Sequence, residues 1–232
     1  MASSDDPSRL VLQTAKLSLF LQVVFTGITA ASIPLTVPSG HEMLQTIAVL
    51  ETVAQVVEFT WYGLAVFYFS GIRTWTRYID WYISTPTMLI STLAFLVYLK
   101  RRKDVSIEEG YGRIGDLFEH PNAGPVGAIL TCNFVMLSFG LAVERGFSAT
   151  VGLLLGTLSF VASFLLIFGY FVVGVGPLGF GLYMFMFTVW GLYGVAATLS
   201  ETRKNVMYNG LDIVSKNFYG TFVFAYTLTV ST

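Results

Sequence analysis

A lysine stands where a bilayer would surround it. Lys216 lies inside the apolar run Val206–Val230, which is long enough to cross a membrane. A charge at that depth costs roughly 2.5–3.5 kcal/mol on insertion scales, and it marks a site of function by default. Asp212 precedes it by one helical turn and shares its face. A buried lysine beside a carboxylate is the arrangement that a cationic imine needs. The uncharged amine attacks an aldehyde, and the protonated product then requires a counter-ion. A structural Lys–Asp pair between two helices is the bland alternative.

A second polar pattern lies far upstream. Glu51, Gln55, Glu58 and Tyr62 recur at i, i+4, i+7 and i+11, so they form one stripe of a helix that is otherwise apolar. Two carboxylates on one face of such a span are expensive. Either each is protonated and bonded to a neighbouring helix, or the stripe is a seam for water and ions. Ser18, Gln22, Thr26 and Thr29 make a similar stripe, although hydroxyls in membrane helices commonly serve packing. Asn205, Asn209, Asp212 and Lys216 share a third face, and Asn217 follows the lysine.

These residues must be held by membrane helices. The chain has 232 residues, 54% of them hydrophobic and 12% charged, about half the charged share of a soluble domain. The net charge of −1 gives no basis for binding nucleic acid. One cysteine, Cys132, excludes an intrachain disulfide and a cysteine metal cluster; His41 and His120 fall in polar loops, so no metal is expected. Seven apolar segments run roughly over 10–33, 43–69, 75–99, 125–143, 149–175, 180–199 and 206–230. Pro34, Pro38 and Gly40, then Gly71, then Gly174, Gly176 and Pro177 punctuate them. The longest connection, Lys100 to Gly124, opens on the basic cluster Lys100–Lys103, which places it in the cytoplasm. The N-terminus is then outside and the C-terminus inside. The acidic start Met1–Asp6 lacks the basic region of a cleavable signal, so the first helix is expected to direct its own insertion. The whole of 1–232 reads as one membrane domain, without repeats or linkers.

The third segment reads Arg77-Tyr78-Ile79-Asp80-Trp81-Tyr82-Ile83-Ser84-Thr85-Pro86. With Trp190-Gly191-Leu192-Tyr193 and Asp212-Ile213-Val214-Ser215-Lys216, it resembles the microbial rhodopsins over the whole chain. Taken singly, aromatics in membrane helices usually pack and Pro86 is an ordinary kink. The resemblance implies an all-α bundle of seven transmembrane helices, with all-trans retinal carried on Lys216 as a Schiff base. It further implies Asp80 and Asp212 as counter-ions and Arg77 outside them. Tyr62 and Tyr193 would bond the second aspartate, Trp81 and Trp190 would sandwich the polyene, and Thr85 would line its pocket.

Glu51, Glu58, the run Ser84–Leu89 and the run Tyr208–Asp212 look most like the first group of giant-virus rhodopsins, the viral channelrhodopsins. In channelrhodopsins a second-helix glutamate, a first-helix polar residue and the asparagine after the lysine close a central gate. Glu58 and Asn217 match two of those positions, and Ser18 or Gln22 is the third. Where outward pumps carry a proton-donating carboxylate, eleven residues after the counter-ion, this chain has Ser91. Lys204 stands where pumps place a release carboxylate, although Glu201 is near enough to substitute. Asn133 replaces an acid that couples to the third helix near Thr85.

The expected function is therefore a light-gated cation channel rather than an enzyme. Glu51, Gln55, Glu58, Ser18, Gln22, Asn209 and Asn217 would line the path of cations and protons. The alternatives are an outward proton pump, supported by Asp80, and a photosensor, which would need a separate signalling partner. The expected partners are retinal, the lipid bilayer and the transported ions. The expected site is the plasma membrane of the host or expressing cell, with oligomers suggested by the resemblance alone.

Overall fold

A computed structural model describes residues 7–68, 72–103 and 112–231. Its elements are α1 (Pro7–Ala30), α2 (Met43–Phe67), α3 (Arg77–Lys103), α4 (Ala123–Glu144), α5 (Ala149–Ile167), α6 (Pro177–Ala197), α7 (Glu201–Asp212) and α8 (Tyr219–Ser231). A π-helical turn, Ile213–Phe218, joins α7 to α8 with the backbone helical on both sides. These two are thus one seventh helix, and the bundle has seven. No strand occurs among the described residues.

Five of the described helices are long and apolar enough to cross a membrane by length and composition. The two outside that class are α2 and the seventh helix. Their own residues explain this: α2 carries Gln45, Glu51, Gln55 and Glu58, while the seventh opens on the polar turn Glu201–Asn205 and is divided by its π turn. The seventh helix also starts five residues before the apolar run, because that first turn is helical although polar.

Punctuation follows local chemistry. Gly146, at φ 98°, ends α4 where a side chain would be strained, and Ser148 then caps α5 by accepting from Val151 N. Pro177 opens α6 after Gly176 at φ 105°. Pro86 sits inside α3 and removes the amide that would bond the Tyr82 carbonyl. One boundary differs from expectation. Lys100–Lys103 do not open a loop but form the last turn of α3, where cations complement the helix dipole. Arg101 pairs there with Asp116 of the 3-10 turn Ile114–Phe118. The middle of that connection, 104–111, lies outside the described residues, as do Phe69 and Gly71.

Consecutive helices pack side by side, and the seventh closes the ring against α1, α2 and α6. His41, between α1 and α2, reaches Tyr98 of α3 at 2.6 Å, so the α1–α2 connection lies at the end that carries Lys100–Lys103. Lys100–Lys103 make it the basic end of the bundle.

Candidate functional site

The π turn places Lys216 in the bundle centre, 2% exposed. Such turns interrupt regular bonding and concentrate at functional positions. Its Nζ donates to Asp80 Oδ2 of α3 at 2.8 Å and lies 3.1 Å from Glu58 Oε1 of α2. The carboxylates touching the lysine are therefore Asp80 and Glu58, rather than Asp80 and Asp212. Asp212 is one turn away and its oxygens are already engaged. Tyr62 donates to its Oδ2 at 2.7 Å and Arg77 at 3.1 Å, while Tyr193 donates to its Oδ1 at 2.7 Å.

Arg77 is fully buried among acceptors. Its Nε donates to Asn205 Oδ1 at 3.1 Å, another N–H meets Asn209 Oδ1, and its guanidinium lies 4.8 Å from the Trp61 ring centre. Two cations thus face three carboxylates within one buried network, a balance that favours keeping a cation at Nζ.

A cavity of about 410 Å³ adjoins Lys216 on its other side, lined by Trp81, Thr85, Met88, Trp190 and Tyr193 among others. That size suits a drug-sized apolar ligand. Trp81 is braced edge-on by Tyr193 at 5.6 Å and Tyr208 at 5.0 Å. Thr85 is held by Asn133 Nδ2 at 2.9 Å, so α4 is tied to α3 at the cavity wall.

The polar stripes converge on the opposite side of the lysine. Ser18, Gln22, Glu51, Gln55, Glu58 and Asn217 are all fully buried. Ser18 donates to the Asn209 carbonyl at 2.9 Å, and Asn209 donates to Thr14 Oγ1 at 2.7 Å. Gln55 bonds Thr29 Oγ1 at 3.1 Å and the Lys216 carbonyl at 3.2 Å. Toward the basic end, Glu51 is hydrogen-bonded to Ser91, whose hydroxyl lies 3.3 Å from Tyr219 OH. Many polar atoms on this side meet no hydrogen-bond partner among the described residues. They include both amide atoms of Gln22 and Asn217, Glu51 Oε2, Gln55 Oε1, Glu58 Oε2 and Asp80 Oδ1. A buried polar atom left unpaired costs about 1–3 kcal/mol. Water can satisfy such groups where the site is polar and roomy enough to hold it.

Beyond Arg77, at the end opposite the basic one, Glu201 accepts from Thr74 Oγ1 at 2.8 Å and from Asn205 at 3.0 Å. Lys204 pairs with Glu144 of α4 at 2.7 Å and, more loosely, with Glu201 at 3.8 Å.

Three participants escape sequence reasoning. The contact of Glu58 with the lysine depends on how α2 is rotated, which spacing within α2 does not reveal. Tyr208 supports Trp81, and its position one turn before Asp212 is the signal that could have found it. Tyr78 also packs on Trp81, at 4.9 Å, and nothing in its local sequence distinguishes it from a packing aromatic.

The family model described as bacteriorhodopsin-like protein matches residues 13–230. Among solved structures, viral rhodopsin OLPVRII is 25% identical with a TM-score of 0.78, over 96% of this chain and 100% of that one. The thermophilic rhodopsin from Rubrobacter xylanophilus is 15% identical, with a TM-score of 0.74 over 95% of this chain and 97% of that one. The light-driven proton pump Coccomyxa subellipsoidea rhodopsin is 17% identical, with a TM-score of 0.71 over 93% and 96%. No curated protein matches.

Proposed function

Because this chain belongs to the bacteriorhodopsin-like family, we propose that it is a retinal photoreceptor whose polar seam conducts cations when illuminated. Retinal is an apolar polyene aldehyde held in this family as a Schiff base on a lysine. The chain fits it: an aromatic cavity of about 410 Å³ meets a buried amine with carboxylates at hand. Bound there, the cofactor supplies light absorption and an isomerisation that moves Nζ.

The chain's own residues do the rest. Lys216 anchors the chromophore, and Asp80 Oδ2, 2.8 Å from Nζ, is placed to take its proton. Glu58 balances the same nitrogen from the seam side. Asp212 is held still by Tyr62, Tyr193 and Arg77, so it stabilises charge without moving. Trp81 and Trp190 wall the cavity and keep water off the polyene.

One observation carries the channel reading: the line of buried polar atoms without partners beside Lys216. They supply what ions need in place of hydration, and the carboxylates Glu51 and Glu58 set a preference for cations. The buried Ser18, Gln22 and Asn217 are assigned with Glu58 to the constriction, and displacement at Nζ acts directly on the Glu58 carboxylate, 3.1 Å away. The basic last turn Lys100–Lys103 supports a cytoplasmic basic end and an outside N-terminus by the positive-inside rule, and the proposed location is the plasma membrane of the host or expressing cell.

A second reading, an outward proton pump, is favoured by the Glu51–Ser91 hydrogen bond. That contact puts an acid from α2 where pumps place a donor on α3. Purified protein in vesicles with a pH dye separates the two. A channel produces no pH change in light until an ion gradient is imposed, and then dissipates it. Light-driven acidification or alkalinisation without any imposed gradient would contradict the channel reading.

A further inference from the structure

The cavity beside Lys216 does not end inside the bundle. Its far wall is made by Thr157 and Val161 of α5 and by Gly194 and Val195 of α6, and all four are exposed on the outer surface. The contact between these two helices is unequal along its length. Toward the basic end it is filled by rings: Phe160 stacks on Phe187 at 5.5 Å, Phe187 on Tyr183 at 6.1 Å, and Phe164 meets Trp190 at 6.1 Å. Toward the other end the facing positions are Thr157, Gly191 and Gly194, while Gly156 turns toward Met136 and Phe139 of α4. A Cβ at Gly194 would meet no atom within 4 Å, so nothing from α5 closes over it.

The geometry points to a lateral portal between α5 and α6 through which all-trans retinal passes from the bilayer to the Lys216 amine. This inference rests on the retinal reading above, and it holds for a channel, a pump or a sensor alike. The chemistry of the two approaches to Lys216 decides the route. The seam side is lined by Glu51, Glu58, Arg77 and Asp212, against which an apolar polyene gains nothing and strips bound water. The portal is lined by glycine, valine and threonine and opens where hydrocarbon would lie, so an isoprenoid aldehyde dissolved in lipid enters without crossing water. Absent side chains also give a flat, elongated molecule room to slide.

The test measures loading rather than photocurrent. Membranes containing the protein made without retinal receive all-trans retinal, and the rise of visible absorption is timed. Gly194→Trp and Thr157→Trp each fill the mouth from opposite sides. Gly181→Trp, on an exposed face of α6 outside the cavity lining, is the control. The mouth variants should load roughly tenfold more slowly, relative to their final absorption, while the control loads like the parent. Parent-like loading in both mouth variants, or equal slowing in the control, overturns the portal. Should neither mouth variant form pigment even with retinal present during synthesis, Val161→Ala decides: it widens the slot and must speed loading, and an unchanged rate overturns the proposal. A parent protein that never forms pigment defeats the cofactor reading itself, a result distinct from any of these.

Discussion

The two halves of this bundle bury opposite kinds of surface. Helices α1, α2, α3 and the seventh enclose Glu51, Gln55, Glu58, Arg77, Asp80, Asn209, Asp212 and Asn217. Helices α4, α5 and α6 bury little that is polar; Asn133 and Ser163 are the examples, and their interior is otherwise aromatic and aliphatic. Lys216 stands on the border, with carboxylates on one side and the cavity on the other. The difference teaches a division of labour. Polar groups in hydrocarbon are kept only where they do something, so the polar half handles charge. The apolar half needs only shape, and its cavity is the proposed seat of the chromophore. On the proposed function, the lysine is where absorbed light in one half becomes electrostatic change in the other.

The largest effect on this comparison comes from removing the border. Lys216→Ala leaves no amine to form the imine, and visible absorption after addition of all-trans retinal should vanish. A retained pigment would separate the cavity from the lysine and break the account. Next comes the charge beside it. Asp80→Asn should move the absorption band to the red, because a lost counter-ion favours the excited state, whose charge lies away from the nitrogen. An unmoved band would leave Glu58 or Asp212 as the effective counter-ion.

Glu58→Gln sharpens the comparison further, since it removes the charge and nearly keeps the shape. Pigment should still form, while selectivity or conductance changes; an unaltered current would reduce Glu58 to packing. The smallest effect belongs to the apolar half. Asn133→Ala removes one interhelical hydrogen bond, but Thr85 keeps its bond to the Trp81 carbonyl at 2.8 Å. Thermal denaturation of the pigment should register a loss of about 0.6 kcal/mol, the usual size for such a bond between membrane helices. A loss several times larger would mean that this half carries a polar network of its own.

The two halves are also unequally legible in sequence. Polar residues inside apolar spans are conspicuous, so the stripes on α1, α2 and the seventh helix can be read from spacing alone. Asp80, Asp212 and Lys216 come with recognisable neighbours. What spacing cannot supply is the rotation of one helix against another. It places Glu58 on the face of Glu51 but not against Lys216, and it leaves the saturation of Asp212 by Tyr62, Arg77 and Tyr193 invisible. Seven helices are legible, yet their ends shift, because Lys100–Lys103 and Glu201–Asn205 extend helices while looking like loop. The opening inferred between α5 and α6 is the least legible feature. It depends on Gly191 and Gly194 leaving their side of the contact empty, and a missing side chain leaves no mark on hydrophobic periodicity.

The central claim, that the polar half is a path for ions rather than a store of protons, meets its most direct test under voltage clamp. The protein is expressed in a cell, the membrane potential is stepped, and light is applied while bath cations are exchanged. Moving one charge across 100 mV costs about 2.3 kcal/mol, which a channel has no means to supply. The photocurrent should therefore reverse near the cation equilibrium potential and follow it when the bath changes. A photocurrent that stays outward at every voltage would contradict the account and make this protein a pump.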